Sequence, residues 1–211
     1  MELHAISTGQ QSMTELIEIA SQISPWVTVI HIREKKWSDL QIVDTIQQLI
    51  DKGVPRSQLR INSRPQLAVD MKLGGVHLSE NMSYHSEKNS YLANDDKTPL
   101  VWKVGRSVHH IDQALRAEQE GVDYIFYGHI YSTTSKPDLS PRGLIQLEQI
   151  CHAVSIPVIA IGGIQPSHCQ DIYQTGAKGI AVMSGIFQAD HPKHVCQQYH
   201  ASIQNMISTN L

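Results

Sequence analysis

The sequence predicts an α/β chain of the (β/α)8 TIM-barrel type, one domain over residues 1–211. Three observations predict it. Short β-branched runs alternate with amphipathic helical stretches along the whole chain, the pattern of parallel strands joined by helical crossovers. The alternation reaches eight strands and about eight helices, and 211 residues sit at the lower end for a closed barrel, ~200 residues. No change of composition marks a second domain. The runner-up, an open doubly wound sheet, would carry a glycine fingerprint after its first strand, and here that turn reads only Ser7-Thr8-Gly9.

The elements follow in order. Leu3–Ser7 is a short apolar strand. Ser12 caps a helix, with Glu15 completing a capping box and Leu16, Ile17, Ile19, Ala20 and Ile23 forming the apolar face. Pro25 stops it. Val27–Arg33 is the second strand, and Asp39–Lys52 a helix closed by Gly53 and Pro55. Gln58–Asn62 is the third strand, Pro65–Lys72 a short helix, and Val76–Leu78 the fourth strand. Asn81–Pro99 is polar and poor in apolar residues, and is expected to be a mobile excursion and not a linker, because the strand–helix alternation resumes at once; a role as a lid is left open. Leu100–Ser107, Asp123–Tyr127, Ile156–Ile161 and Gly179–Met183 are the remaining strands. Helices over Asp112–Glu120, Arg142–Val154 and Pro166–Thr175 alternate with them, and a last helix follows Pro192.

Composition narrows the function. A hydrophobic fraction of 41% and a charged fraction of 18% are those of a soluble globular chain. A net charge of −3 leaves no basic footprint for nucleic acid. No apolar run approaches the ~18 residues of a membrane span, and the first residues do not read as a signal peptide. Three scattered cysteines read as reduced thiols, so a cytoplasmic location is expected. The twelve histidines show neither an HExxH nor a finger spacing, and no metal site is expected from them.

In such barrels chemistry sits at the C-terminal ends of the strands. Residues two apart on a strand share a face. His31, Arg33 and Lys35 share one, as do Arg60 and Asn62, Gly105 and Ser107, and Ile125, Tyr127 and His129. If these faces point inward, Arg33, Lys35, Asn62, Ser107 and His129 meet at one rim, and polar side chains are costly in a barrel interior unless something needs them. The turns Gly162-Gly163-Ile164 and Ser184-Gly185-Ile186 follow strands seven and eight, the usual phosphate position of this fold. Glycines let backbone N–H groups close on phosphate oxygens, so the ligand should carry a phosphate.

Eight segments resemble a known family: HIREK (His31–Lys35), INSR (Ile61–Arg64), GGVHL (Gly74–Leu78), GRSVH (Gly105–His109), YGHIYSTTSK (Tyr127–Lys136), PRGL (Pro141–Leu144), IPVIAIGGI (Ile156–Ile164) and GIAVMSGIF (Gly179–Phe187). Together they resemble the thiamine phosphate synthase superfamily over nearly the whole chain. The resemblance implies the same barrel and one of two activities. The synthase couples a pyrimidine pyrophosphate to a thiazole phosphate with Mg²⁺. The thiazole tautomerase (TenI-like) isomerises a carboxylated thiazole phosphate without metal or cofactor. Synthases carry Asn-Asp where this chain has Asn62-Ser63, a second Asp where it has Met82, and Gly-Pro where it has Gly128-His129. Mg²⁺ needs hard oxygen ligands, which a thioether and a hydroxyl do not replace.

The resemblance therefore implies a thiazole tautomerase, an isomerase of thiamine biosynthesis. The synthase and a non-catalytic thiazole-phosphate-binding regulator are the alternatives, and Glu80 is the one residue that would rescue a metal site. His129 is expected to move the proton. Gly163, Ser184 and Gly185 would hold the phosphate. Arg33 and Lys35 would face the substrate carboxylate, with Lys136, by resemblance to the family's loop lysine, near the same end. Asn62 and Ser107 would orient the ring or a water. The expected partner is the thiazole phosphate itself, with a homodimer left open.

Overall fold

The computed structural model describes residues 1–82, 102–134 and 137–209, with the side chains of residues 207–209 excepted. The polar excursion Asn81–Pro99, beyond its first two residues, and Lys136 lie outside the described residues.

Eight parallel strands close into a barrel in sequence order, β1 (Glu2–Ile6), β2 (Val29–Ile32), β3 (Leu59–Asn62), β4 (Gly75–Leu78), β5 (Lys103–Val108), β6 (Tyr124–Gly128), β7 (Val158–Ile161) and β8 (Gly179–Val182). β8 pairs with β1, with Glu2 opposite Gly179 and Ala5 opposite Val182, so no sheet edge is left open. The expected fold class is the one observed. Helices α1 (Met13–Ile23), α2 (Asp39–Asp51), α3 (Pro65–Asp70), α4 (Ile111–Gln119), α5 (Gly143–Ala153), α6 (Cys169–Gln174) and α8 (Pro192–Thr209) cover it. One turn, α7 (Ser184–Phe187), stands where only a loop was expected.

Local chemistry explains the boundaries. Ser12 accepts from the Glu15 N–H while the Glu15 carboxylate accepts from the Ser12 N–H, the expected capping box. Ser38 and Gln41 do the same for α2. β2 is buried along its length, as a strand covered on both faces must be. Its Ile30 and Ile32 join Leu16, Ile42 and Ile46 in the large core between barrel and helices. A second, smaller core of Ile6, Tyr124, Phe126, Ile159 and Ala181 lies apart from it. Gly105 makes room for it, because a Cβ there would stand 2.0 Å from the Tyr124 ring.

The face expected for β6 is corrected. Tyr124 and Phe126 belong to the smaller cluster, while Ile125 and Tyr127 join the large core against the helices. The Tyr127 hydroxyl donates to Gln146 of α5, 3.1 Å away. His129 reaches the barrel mouth although Tyr127 turns outward, because β6 ends at Gly128 and the two-residue alternation ends with it. No helix among the described residues is long and apolar enough to cross a membrane.

Candidate active site

The C-terminal mouth of the barrel opens into a cavity of about 990 Å³. Eight of the nine residues expected to act line it: Arg33, Lys35, Asn62, Ser107, His129, Gly163, Ser184 and Gly185. The ninth, Lys136, lies outside the described residues.

Each is set by its strand end. Ser7, at the end of β1, accepts from the Arg33 N–H at 2.8 Å and fixes the exit of β2. The Arg33 guanidinium has only a long contact to the Thr8 carbonyl, 3.5 Å, and to the Met183 sulfur, 4.0 Å. Lys35 is exposed at the mouth. Asn62 ends β3, and its Oδ1 is buried with no partner among the described residues. The Ser107 hydroxyl lies 2.9 Å from Nε2 of His77, whose Nδ1 faces the Tyr124 hydroxyl at 3.3 Å. Burial, and then the nearby His4, push His77 down to about 3, so its ring is neutral at physiological pH.

His129 is 5% exposed and tightly placed. Its Nε2–H donates to the Leu139 carbonyl at 3.0 Å, which in a neutral ring leaves Nδ1 as an acceptor. That Nδ1 is buried and has no partner among the described residues. The chain after it is tied to β7: Ile130 N–H donates to Ile161 and Tyr131 N–H to the Gly162 carbonyl.

The glycine turn after β7 answers to packing as well as to any ligand. A Cβ on Gly162 would stand 2.4 Å from Cβ of His129, and one on Gly163 2.3 Å from the Ser132 carbonyl oxygen. Both have positive φ, 100° and 66°, which glycine adopts without strain. Ser184 and Gly185 open α7 at the cavity wall. Its hydrogen bonding begins with the Ile186 and Phe187 N–H groups on the Met183 carbonyl, so the Ser184 and Gly185 N–H groups have no intrahelical acceptor.

Several lining residues were not singled out from the sequence as acting groups. Glu34 is 2% exposed, and burial raises its carboxyl above the usual range against lowering by Ser7 and the Gly9 N–H. Two-residue alternation hid it by assigning it the face opposite Arg33 and Lys35. Arg64 is spent on structure, paired with Asp39 at 2.9 Å and donating to the Glu34 and Trp37 carbonyls. His109 donates from Nδ1 to the Gly128 carbonyl, with Nε2 3.5 Å from Glu80.

The residues at the expected magnesium position do not fit that ion. Asn62, Ser63 and Ser79 supply neutral oxygens, and Met82 turns its backbone carbonyl to Arg106. Among the described residues at that position Glu80 is the one carboxylate, and its oxygens face Gln113 and His109. Among the described residues no group of three or more His, Cys, Asp or Glu side chains is placed to hold a metal. A compact dication that demands several hard oxygens finds one carboxylate here, already engaged.

Comparison with known proteins bears on the reaction. The family described as thiamine monophosphate synthase matches residues 3–186. The thiamine-phosphate synthase of Chloroflexus aurantiacus is 34% identical over 190 residues, 88% of this chain and 83% of that protein. That of Clostridium acetobutylicum is 34% identical over 178 residues, 83% and 81%. That of Natronomonas pharaonis is 32% identical over 203 residues, 93% and 90%. Among solved structures, a thiamine phosphate pyrophosphorylase from Pyrococcus furiosus superposes with a TM-score of 0.77 at 22% identity, covering 98% of this chain and 96% of that one. A 3-hexulose-6-phosphate synthase superposes at 0.71 and 14% identity, covering 96% and 99%. At those identities the superpositions speak for the fold alone.

These relatives overturn the thiazole tautomerase expectation and with it the assignment as an isomerase. They are synthases, which are transferases, and their likeness runs through the whole barrel. The expectation rested on three short departures, at Ser63, Met82 and His129. Those departures alter side chains after β3, β4 and β6 and leave the barrel and both glycine turns in place. Missing carboxylates argue about a metal, and do not by themselves supply a proton-transfer reaction.

Proposed function

Since the chain belongs to the thiamine monophosphate synthase family, we propose that it acts as a thiamine-phosphate synthase, joining a pyrimidine pyrophosphate to a thiazole phosphate with release of pyrophosphate. The observation that carries the reading is the 34% identity to synthases over more than four fifths of the chain. The cavity supports it by size, since about 990 Å³ is ample for two small heterocycles side by side.

The residues divide the work as follows. Gly163, Ser184 and Gly185 hold the thiazole phosphate through backbone N–H groups and the Ser184 hydroxyl. Arg33 and Lys35 face the pyrophosphate and offset the charge that builds on it as it leaves; Arg33 has the fork geometry for two oxygens. Ser107 and Asn62 orient the pyrimidine. His129, its ring fixed by the Nε2–H bond to the Leu139 carbonyl, packs against the bound pair at the strand ends. Lys136 adds a cation by resemblance alone.

A second reading has its own observation. The donor set at Asn62, Ser63 and Met82 does not fit the family's magnesium, which favours a barrel that binds thiazole phosphate without turning it over. One experiment separates the two. The purified chain is given both substrates, with and without Mg²⁺, and thiamine phosphate is measured. Product at a rate that rises with enzyme concentration is the expected result. Micromolar binding of thiazole phosphate with no product under either condition would replace the synthase by the binding protein.

A further inference from the structure

A line of buried polar groups crosses the barrel from its N-terminal mouth to the cavity, and the proposed reaction uses only its last member, Asn62. Glu2 Oε2 lies 2.8 Å from His4 Nε2, and His4 Nδ1 lies 2.9 Å from His31 Nε2. His4 is 2% exposed and His31 0%. At the far end two buried acceptor-capable atoms, His31 Nδ1 and Asn62 Oδ1, have no partner, although the Asn62 side chain is close enough to act on the His31 ring. Asn62 also lines the cavity.

Counting protons along the line fixes its direction. A carboxylate only accepts, so the Glu2 contact requires the hydrogen on His4 Nε2. Burial lowers both histidines, His31 well below the usual range, so each ring is neutral and carries one hydrogen. His4 has spent its hydrogen on Glu2. The hydrogen between the rings therefore belongs to His31 Nε2, and His31 Nδ1 is a bare lone pair. An amide oxygen cannot satisfy it. A half-turn of the Asn62 amide exchanges Oδ1 and Nδ2 within the same envelope, giving the buried lone pair the hydrogen it lacks and removing both orphaned atoms together.

We infer that the Glu2–His4–His31 line holds Asn62 with its NH₂ group inward and its carbonyl oxygen toward the cavity, so that this wall binds a hydrogen-bond donor of the ligand, an amino or ring N–H of a heterocycle. Phosphate and carboxylate oxygens are disfavoured there, and belong at the cations and glycine turns. The proton order along the line holds whatever the chain's activity; the ligand half rests on the proposed function, because an aromatic thiazole phosphate offers no N–H donor. Asn62 is a specificity-determining residue. Glu2, at the opposite mouth, acts through two rings as a positioning residue.

The test uses the full chain labelled with ¹⁵N in its histidines. Long-range proton–nitrogen spectra report which ring nitrogen carries the hydrogen. His4 and His31 should both show a pyrrole-type Nε2 and a pyridine-type Nδ1, and Asn62→Asp should force a hydrogen onto His31 Nδ1. A pyrrole-type Nδ1 on His31 in the unmodified chain overturns the inference. For the ligand, 4-aminopyrimidine and 4-methylpyrimidine are titrated separately. The amino compound should bind roughly fivefold tighter, the worth of one hydrogen bond in a desolvated site. Equal affinities overturn the donor assignment whatever the assay for thiamine phosphate shows.

Discussion

Inside the barrel, His4, His31 and His77 stack against one another and against Tyr124 and Phe126, with the rings of His77 and Phe126 centred 4.1 Å apart. One layer higher, at the mouth, Arg33, Lys35, Asn62, Ser107 and His129 surround an open cavity. The two regions share β2 and β6, with His31 and Phe126 inside the barrel and Arg33 and His129 beyond the strand ends. The interior rings bond to one another, to Glu2 and Tyr124 and upward to Ser107, and so serve as packing with a fixed hydrogen-bond order. The rim cations are left with capacity to spare, the guanidinium of Arg33 with its long contacts and Lys35 in solvent. Spare capacity, more than polarity, distinguishes the candidate site from the plug beneath it.

The comparison breaks first in the plug. Gly105→Val places atoms where the Tyr124 ring lies, 2.0 Å from the Cβ position. A buried ring on a closed barrel has little room to yield, so we expect a loss of about 3 kcal/mol, or a Tm lower by roughly 6–12 °C. Calorimetry checks it, and a shift under 2 °C would mean that the plug is loosely packed. Arg33→Ala makes the contrast at the rim. Its side chain supports little structure, so the Tm should move by less than about 2 °C, while inorganic pyrophosphate binds about tenfold more weakly by isothermal titration.

Acid sharpens the same contrast. His4, His31 and His77 all have folded-state pKa values below the ordinary histidine value, first of all because they are buried. The unfolded chain takes up protons below about pH 6.5 that the folded plug refuses. Their contribution to stability is therefore complete above that pH and is lost as the pH falls, down to about 3 for His77. Each histidine adds a slope of at most about 1.4 kcal/mol per pH unit. Glu34 acts in the opposite sense, since its raised carboxyl makes stability fall as the pH climbs above the carboxylate range. Urea midpoints measured from pH 7 to pH 4.5 should fall steadily, and His77→Asn should flatten the curve.

How much of this was legible in the sequence differs by region. The barrel and its closure were, because apolar periodicity and turn residues report burial directly. The rim was legible for β3 and β5, where strand alternation carries through to the exit, and only in part for β2, which ends at Ile32 so that Glu34 lines the cavity together with Arg33 and Lys35. It misled at β6, where His129 reaches the cavity only because the strand has already ended and the chain turns at Gly128. The plug was not legible. His4, His31 and His77 are separated by 27 and 46 residues, and nothing local marks rings that meet across a barrel. The reaction was misread because three site positions were given more weight than a likeness spread along the chain.

The smallest effect tests whether exposure at the rim matters. Lys35 stands at the mouth in solvent, and its charge meets the same ligand as Arg33 without burial to strengthen it. Screening limits such a charge to a Debye length of about 8 Å at physiological salt, and an exposed pair is worth at most about 1 kcal/mol. Lys35→Ala should therefore weaken pyrophosphate binding only about twofold to threefold in dilute buffer, and the difference should vanish in 1 M salt. The Arg33→Ala loss should persist in salt, because that guanidinium is half-buried at the strand end. If the two variants lose affinity equally and recover equally in salt, Arg33 is a surface charge like Lys35, and the anion is held by the glycine turns alone.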